Sequence, residues 1–235
     1  MFDSTLPISY YKEIAVLNEA HDIYFVQHIE TKKVFIKKTL SVYNLDVYEQ
    51  LFKTPIRNIP RIYALYENTN TLTMIEEYIS GDSLQEVVDL CGPLAESDVI
   101  SYCIQLCDIL SDLHSLSPAI IHRDIKPSNI ILTEDERIYL IDFNAAKQSS
   151  IEKNRDTRLL GTEGFAAPEQ FGFGSSSSQT DIYAVGNLMK ALLCPNDIIK
   201  PISSRLNAVI NKCLEINPKD RYHTTALLKN ALEKI

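Results

Sequence analysis

The sequence predicts an α+β fold in two parts, a small and mostly antiparallel sheet that carries one helix, and a larger part that is mainly helical. Through residues 10–80, short runs typical of strands surround a single helical stretch. After the turn at Ser80-Gly81-Asp82, apolar residues return at helical spacing instead. This change of pattern places the division between the two parts near residue 80.

The strand-like runs of the first part are rich in β-branched and aromatic residues. They cover residues 14–16, 23–27, 33–40, 62–66 and 72–79, and a helix is predicted from about Asn44 to Lys53. In the second part, the apolar positions between Val99 and Leu113 predict a long buried helix. Three short apolar runs follow at residues 120–121, 130–132 and 137–141, a Gly/Ser loop covers residues 172–179, and the chain beyond Asp181 is predicted to be helical.

Composition and charge exclude several classes of protein. The 235 residues are 45% hydrophobic and 23% charged, which is ordinary for a globular protein, and no apolar run approaches the roughly 18 residues of a membrane span. No signal pattern is present at the N-terminus, so a cytoplasmic protein is expected. The net charge of −8 is spread without blocks and predicts neither nucleic acid nor an anionic membrane as a partner.

The five cysteines give no indication of a disulfide framework or a zinc site. Their number is odd and no C-x-x-C pair occurs. Cys103 and Cys107 share the apolar face of the predicted long helix, where free cysteine behaves as a small buried hydrophobe.

Five segments, in order along the chain, carry the chemistry. They are His122-Arg123-Asp124-Ile125-Lys126-Pro127-Ser128-Asn129, Asp142-Phe143, the stretch 161–169 (GTEGFAAPE), the stretch 181–186 (DIYAVG) and the stretch 217–221 (NPKDR). They resemble the catalytic loop, the metal-binding segment, the end of the activation segment and two later motifs of eukaryotic-like serine/threonine protein kinases, particularly the bacterial ones. The resemblance covers nearly the whole chain.

The resemblance implies one two-lobed protein kinase domain over residues 1–235, with an N-lobe of about 1–79, a hinge of about 77–81 and a C-lobe of about 82–235. It implies ATP and Mg²⁺ as cofactors and a protein as substrate. In such a site Asp124 orients the attacking hydroxyl and accepts its proton, and Asn129 and Asp142 hold Mg²⁺. Lys126 lies against the γ-phosphate, and Thr162 braces it.

Two further roles in the second part follow from the resemblance. Glu169 and Arg221 are expected to form a buried ion pair that anchors the activation segment. Thr157 is the expected regulatory phosphosite, with Ser149 and Ser150 less well placed, and its phosphate would pair with Arg123.

The lysine that holds the α- and β-phosphates has two candidates, Lys37 and Lys38. Side chains two residues apart share one face of a strand, so Lys38 places Ile36 over the adenine, whereas Lys37 places the bulkier Phe35 there. We favour Lys38.

Its partner on the predicted helix is expected to be Glu49, which shares a helical face with Leu45 and Phe52; Asp46 is the alternative. Only eleven residues separate Lys38 from Glu49, which suggests a short helix.

The stretch 74–81 resembles the family's hinge. Backbone groups of Glu77 and Ile79 would bind adenine there. Glu76 would occupy the gatekeeper position, where an apolar or small polar residue is usual, so its carboxylate needs a partner or the pocket is atypical.

One departure from the family leaves two alternatives open. No glycine precedes Gly81, and residues 17–23 stand where the family has its glycine-rich loop over the phosphates. A pseudokinase that binds nucleotide or acts as a scaffold is therefore the main alternative. A small-molecule kinase is the second, although Lys126, Thr162 and the stretch 167–169 favour a protein substrate.

Overall fold

The structure is a computed structural model that describes residues 8–149, 162–171, 175–195 and 201–235. The chain divides into two compact units, of which the first ends at Ser80 and the second begins at Gly81. An antiparallel sheet with a helix forms the first unit, and long helices dominate the second. The predicted α+β fold class is therefore confirmed.

The sheet of the first unit is antiparallel with strand order β1-β2-β3-β5-β4. Its strands are β1 (Tyr11–Asn18), β2 (Ile23–His28), β3 (Val34–Leu40), β4 (Ile62–Asn68) and β5 (Thr71–Glu77). The central strand β3 pairs Ile36 with Glu76 on β5. Each strand overlaps one of the predicted runs, because β-branched and aromatic residues favour the pleated, half-buried surface of a sheet.

Alternation along β3 divides its side chains between the two faces of the sheet. One face carries an apolar cluster made of Tyr11, Val26, Phe35, Ala64 and Ile75. Because side chains alternate along a strand, Lys37 lies on the face of Phe35, whereas Ile36 and Lys38 lie on the opposite face.

Helix α1 (Leu45–Lys53) is nine residues long, which agrees with the short helix suggested by the sequence. It buries Val47, Tyr48 and Leu51 and packs against β4. The buried positions fall at the i, i+1 and i+4 spacing of one helical face, so the opposite face carries the polar residues.

The second unit is built from helices with short strands between them. The helices are α2 (Leu84–Cys91), α3 (Glu96–Ser115), α4 (Ser178–Leu193), α5 (Ser204–Cys213) and α6 (Thr225–Leu232). The strands are β6 (Asp82–Ser83), β7 (Ile120–Ile121), β8 (Ile130–Leu132), β9 (Ile138–Leu140) and β10 (Lys147–Gln148), in the orders β6-β8-β9 and β10-β7. In the described parts of the chain, no helix has the length and apolar character needed to cross a membrane.

Helix α3 is the buried centre of the second unit and packs against α4 and α6. Cys103 and Cys107 are fully buried on it, as the sequence predicts. Burial raises the pKa of both thiols, which keeps them protonated and unreactive. These cysteines are therefore core residues.

Two glycines allow close backbone approach in this unit. A Cβ at Gly81 would lie 2.2 Å from the carbonyl oxygen of Leu132, and one at Gly186 would lie 2.8 Å from Cβ of Cys213. Gly81 thus lets the start of the unit run against β8, and Gly186 lets α4 pack closely on α5.

Helix α4 begins earlier than the sequence indicates. The predicted Gly/Ser loop extends to Gln179, but the helix starts at Ser178. Ser177 and Thr180 form a capping box at this end, and such reciprocal hydrogen bonds satisfy backbone groups that a helix terminus leaves open. The boundary in the prediction was therefore wrong by two residues.

Candidate active site

Asp181 of helix α4 supports the loop between β7 and β8, residues 122–129, through hydrogen bonds. The Asp181 carboxylate is fully buried and accepts hydrogen bonds from the backbone N–H groups of His122 and Arg123, at 3.0 and 2.9 Å. It also lies 2.8 Å from Nε2 of His114 on α3. One carboxylate thus ties the loop to two helices.

His122 is buried and neutral in this arrangement. Its Nδ1 accepts a hydrogen bond from the backbone N–H of Asp124 at 3.3 Å, so the proton lies on Nε2, which donates to the carbonyl of Ile141 at 3.3 Å. Its ring meets the ring of Phe143 edge to face. Burial lowers the pKa of His122, even though nearby carboxylates favour the charged form.

Arg123 holds a strained backbone conformation, with φ of 70°. Its N–H is bound by Asp181, and its carbonyl accepts a hydrogen bond from Nε2 of Gln170 at 2.9 Å. A non-glycine residue with positive φ persists where its surroundings fix it on both sides. The two contacts therefore set the direction in which the chain enters Asp124.

The Asp124 carboxylate is the centre of a polar cluster. Its Oδ1 accepts hydrogen bonds from the N–H and Oγ1 of Thr162, at 3.1 and 2.7 Å. Its Oδ2 lies 2.9 Å from Nζ of Lys126 and 3.1 Å from Nδ2 of Asn129. Lys126 also donates to Oγ1 of Thr162 at 2.8 Å. Four residues predicted for catalysis therefore lie together.

Two opposing effects set the pKa of Asp124. Burial raises the pKa, but the hydrogen bonds from Thr162 and Lys126, together with the positive charge of Lys126, outweigh it. The pKa therefore lies below its ordinary value. The carboxylate is ionised at neutral pH and can accept a hydrogen bond from a hydroxyl group.

Asn129 and Asp142 lie at neighbouring ends of β8 and β9. The strands pair Ile130 with Leu140, and the carbonyl of Asn129 accepts a hydrogen bond from the N–H of Ile141 at 2.9 Å. Asp142 follows directly, with φ of 64° and an Oδ1 that accepts from the N–H of Asn144 at 3.1 Å. The backbone thus places the asparagine and the aspartate at neighbouring strand ends, and their role as metal ligands stays a prediction.

The donor atoms of these two residues fit Mg²⁺. The amide nitrogen of Asn129 is committed to Asp124, which leaves the amide oxygen as the end that can face a cation. Carboxylate and amide oxygens are ligands that Mg²⁺ accepts, with phosphate oxygens and water completing its shell. Within the described residues, no cluster of three or more His, Cys, Asp or Glu forms a cage for a metal. A cation here would therefore rely on Asn129, Asp142 and a phosphate-bearing ligand.

The predicted ion pair between Glu169 and Arg221 is confirmed. The guanidinium meets both carboxylate oxygens at 2.8 and 2.9 Å, and both side chains are buried. Arg221 also donates to the carbonyls of Gln179, Glu215 and Ile216. The bidentate pair fixes the segment after Ala167 to the body of the second unit.

After residue 149, the structure describes the chain again from Thr162. The backbone N–H groups of Phe165 and Ala166 both donate to the carbonyl of Thr162 at 3.0 Å. Thr157 and Ser150 lie outside the described residues, so the phosphosite stays a prediction.

In the first unit, the two candidate lysines of β3 have different surroundings. Lys37 pairs with Glu13 of β1 at 2.6 Å and lies over the ring of Tyr24, on the face of the apolar cluster. Lys38 lies on the other face, with Ile36, and its Nζ is 2.5 Å from Oε1 of Glu76. The alternation used to favour Lys38 is present, and its role toward ATP stays a prediction.

Glu49 and Glu76, the two glutamates singled out from the sequence, each have a lysine partner in the structure. Glu49 contacts Lys53 one helical turn later, at 3.0 Å, a surface pair of the i,i+4 type. Glu76, expected to need a partner, has it in Lys38. The pairing of Lys38 with Glu49 stays a prediction, as does the choice of Glu49 over Asp46.

At the end of β5, the backbone of Glu77 is partly engaged. Its N–H donates to the carbonyl of Arg61 at 2.8 Å, and its side chain accepts from the N–H of Arg61 at 3.2 Å. An adenine contact at Glu77 would therefore use its carbonyl oxygen. Ile79 follows two residues later, and its predicted contact is likewise untested.

A tight turn joins β1 and β2, within the stretch predicted to replace the glycine-rich loop. Residues Glu19–His21 form a single 3-10 turn between β1 and β2, and Asp22 adopts left-handed angles with φ of 51°. Its N–H donates to the carbonyl of Glu19 at 3.2 Å. Aspartate tolerates this conformation better than most residues, so the turn forms without glycine.

Two residues of the loop's support were missed from the sequence, His114 and Gln170. His114 lies in the last turn of α3, 67 residues before Asp181. Gln170 directly follows Glu169 and reaches back to Arg123. A polar residue at the end of an otherwise apolar helix face was the available signal for His114, and Gln170 carried no comparable one.

Comparisons with known proteins identify the family of this chain. The family model described as protein kinase domain matches residues 14–232. Serine/threonine-protein kinase D of Synechocystis sp. is 33% identical over 201 residues, covering 75% of this chain and 38% of the relative. A probable serine/threonine-protein kinase of Dictyostelium discoideum is 37% identical over 63% of this chain and 29% of its own length. PknB of Mycobacterium leprae is 26% identical over 76% and 34%.

The chain thus spans about a third of the length of these relatives, and what it shares with them is the domain itself. The matched region contains the loop of residues 122–129, Asp142, and the ion pair between Glu169 and Arg221. With nearly all of its residues matched by the family model, the chain belongs to the protein kinase domain family.

Proposed function

We propose that this chain is a serine/threonine protein kinase that transfers the γ-phosphate of Mg-ATP to a hydroxyl group of another protein. The observation that carries the proposal is the convergence of Lys126, Thr162 and Asn129 on the carboxylate of Asp124. The names of the relatives, all serine/threonine-protein kinases, support the same activity.

In this mechanism Asp124 receives the hydroxyl group of the substrate. As the new O–P bond forms and the bond from phosphorus to ADP breaks, the hydroxyl proton passes to Asp124. Its lowered pKa makes it a weak base, so orientation of the hydroxyl is its larger contribution. Lys126 supplies positive charge beside the transferred group, and Thr162 fixes both side chains through Oγ1.

The remaining predicted residues bind the nucleotide. Bound Mg²⁺ would neutralise charge on the phosphate oxygens, and Asn129 and Asp142 carry the oxygens that would hold it. In the first unit, Lys38 serves the α- and β-phosphates, and Ile36 contacts the adenine. Backbone groups of Glu77 and Ile79 bind the adenine edge.

Transfer from labelled ATP to a general protein substrate, compared between wild type and Asp124→Asn, tests the proposal. The variant keeps the shape of the side chain but loses its charge, so transfer should fall on the order of 10³-fold while Mg-ATP binding stays within a few-fold. Asp135→Asn, on the exposed turn between β8 and β9, is the matched control and should transfer at the wild-type rate. Equal transfer by wild type and Asp124→Asn would remove Asp124 from the mechanism.

A second candidate, a pseudokinase, is favoured by one observation. The turn at residues 19–22 carries side chains where the family has glycines, which hinders close backbone approach to phosphates. A pseudokinase would gain thermal stability from Mg-ATP without transferring phosphate. The two measurements made side by side distinguish the candidates.

A further inference from the structure

The ion pair between Lys38 and Glu76 lies on one face of the sheet of the first unit. The nitrogen and oxygen are 2.5 Å apart, and the side chains are only 13% and 11% exposed. We propose that Glu76 is the positioning residue for the Lys38 ammonium, holding it where the nucleotide phosphates bind. This proposal rests on the proposed function for the role of Lys38.

The register of the sheet makes this pairing possible. Ile36 on β3 lies opposite Glu76 on β5, so Lys38 is the diagonal neighbour of Glu76 on the same face. Diagonal neighbours are about 7–8 Å apart at Cα, within reach of two long side chains. The backbone hydrogen bonds between the two strands fix this spacing, so the Cα positions of both residues are set by the sheet.

Burial favours direct contact between the Lys38 ammonium and the Glu76 carboxylate. A buried charge without a partner loses its hydration, so the ammonium and carboxylate strongly favour contact over separation. The flexible four-carbon stem of lysine would otherwise sample many rotamers, and a fixed carboxylate reduces this freedom. Glu76 therefore restricts the position of the charge that binds phosphate.

The neighbouring pair of Lys37 and Glu13 supplies a matched comparison. It involves the next residue of the same strand and a similar distance of 2.6 Å, but it is more exposed, at 22% and 49%. Solvent screens such a pair and its side chains exchange partners easily. Removing Glu13 therefore tests the loss of a carboxylate without the loss of a buried one.

The pair also bears on helix α1. Both Lys38 and Glu76 belong to adjacent strands, so their contact does not depend on where α1 lies against the sheet. Glu49 on α1 has its contact with Lys53. Replacing Glu49 by glutamine should therefore lower phosphate transfer less than the same change at Glu76.

The test combines kinetics with a double-mutant cycle. In wild-type enzyme, Glu76→Gln should lower kcat/KM for Mg-ATP on the order of 10-fold or more, since a small misplacement of a charged group has effects of this size. Glu13→Gln should stay within about 2-fold. The Kd for Mg-ATP is then measured by calorimetry in wild type, Glu76→Gln, Lys38→Met and the double variant. If Glu76 acts through Lys38, its replacement should change Kd by less than about 2-fold once Lys38 is absent.

Urea unfolding of each variant shows whether it is folded. If Glu76→Gln does not fold, the comparison uses Glu76→Asp, which keeps the charge but withdraws it by one methylene group. A lower kcat/KM of this variant supports the proposal. An unchanged kcat/KM overturns it. Equal losses with and without Lys38 would also overturn it, because Glu76 would then act elsewhere. Wild-type protein that binds Mg-ATP with the expected coupling but transfers no phosphate would refute the proposed function and leave the positioning role intact. Protein that binds no nucleotide would refute both.

Discussion

The loop of residues 122–129 in the second unit and strand β3 in the first unit hold the side chains proposed for catalysis and nucleotide binding by different means. The loop has an irregular backbone, with Arg123 at a positive φ, and side chains of Asp181 and Gln170 support it. The backbone of β3 is held by hydrogen bonds to β2 and β5. The side-chain contact of Lys38 therefore sets the position of its ammonium group and is not needed to hold the backbone. Replacing the polar residues that support the loop should therefore lower the free energy of unfolding. On β3, a substitution that keeps the charge should instead change phosphate transfer.

The largest effect is expected at Asp181. Asp181→Ala removes a fully buried acceptor and leaves the N–H groups of His122 and Arg123 without it, at an expected cost of about 3–5 kcal/mol in the free energy of unfolding. Urea unfolding measures this cost. Asp108→Ala is the control, because Asp108 pairs with Lys229 on the exposed surface of the same unit and should cost less than about 1 kcal/mol. Equal costs at the two positions would mean that the loop does not depend on Asp181.

The lysines of β3 provide the converse test. Lys38→Met should lower phosphate transfer on the order of 10²-fold or more, because one positive charge facing the phosphates is lost, and Lys37→Met should have a much smaller effect. Lys38→Arg keeps a positive charge beside Glu76, so it should change the free energy of unfolding by less than about 1 kcal/mol. It should still lower transfer, since a guanidinium cannot reproduce the geometry of an ammonium. The assay of labelled transfer and urea unfolding are run on all three variants. A larger loss for Lys37→Met would show that the other frame of the strand faces the nucleotide.

The contrast between the two regions also explains what could be predicted from the sequence. Periodicity identified the strands, helix α1 and the buried cysteines of α3, because burial imposes the spacing of apolar residues directly. The resemblance to the kinase motifs predicted the pair of Glu169 with Arg221, although these residues are 52 positions apart along the chain. It also assigned Asp124, Lys126, Thr162 and Asn129 to one site, and the structure brings these four side chains together. Their catalytic roles stay a prediction.

Contacts that depend on register were harder to predict. Lys38 and Glu76 are 38 residues apart, and their meeting depends on which residue of β3 lies opposite which residue of β5. A shift of one residue would turn Glu76 to the other face of the sheet. The contact of Glu49 with Lys53 is an i,i+4 pair that was not predicted from the sequence.

The smallest effect is expected from pH, and it comes from His122. Burial lowers its pKa, and although the carboxylates of Asp181, Asp142 and Asp124 favour the charged form, they do not restore the ordinary value. The unfolded chain then binds a proton that the folded protein resists, so this contribution to stability is complete above about pH 6.5 and is lost as the pH falls toward the folded value. The pKa values of Asp181 and Asp124 are also lowered, but carboxyl groups lose stability only below about pH 4. The first loss of stability on acidification should therefore report His122, with a slope of at most about 1.4 kcal/mol per pH unit.

Urea unfolding between pH 8 and pH 5 measures the slope, with His223→Asn as a control on an exposed histidine of the same unit. Nitrogen NMR of the imidazole should show the neutral form with its proton on Nε2 at neutral pH. A pKa of His122 in the folded protein at or above that of the unfolded chain would contradict the assignment and remove the reason for the slope.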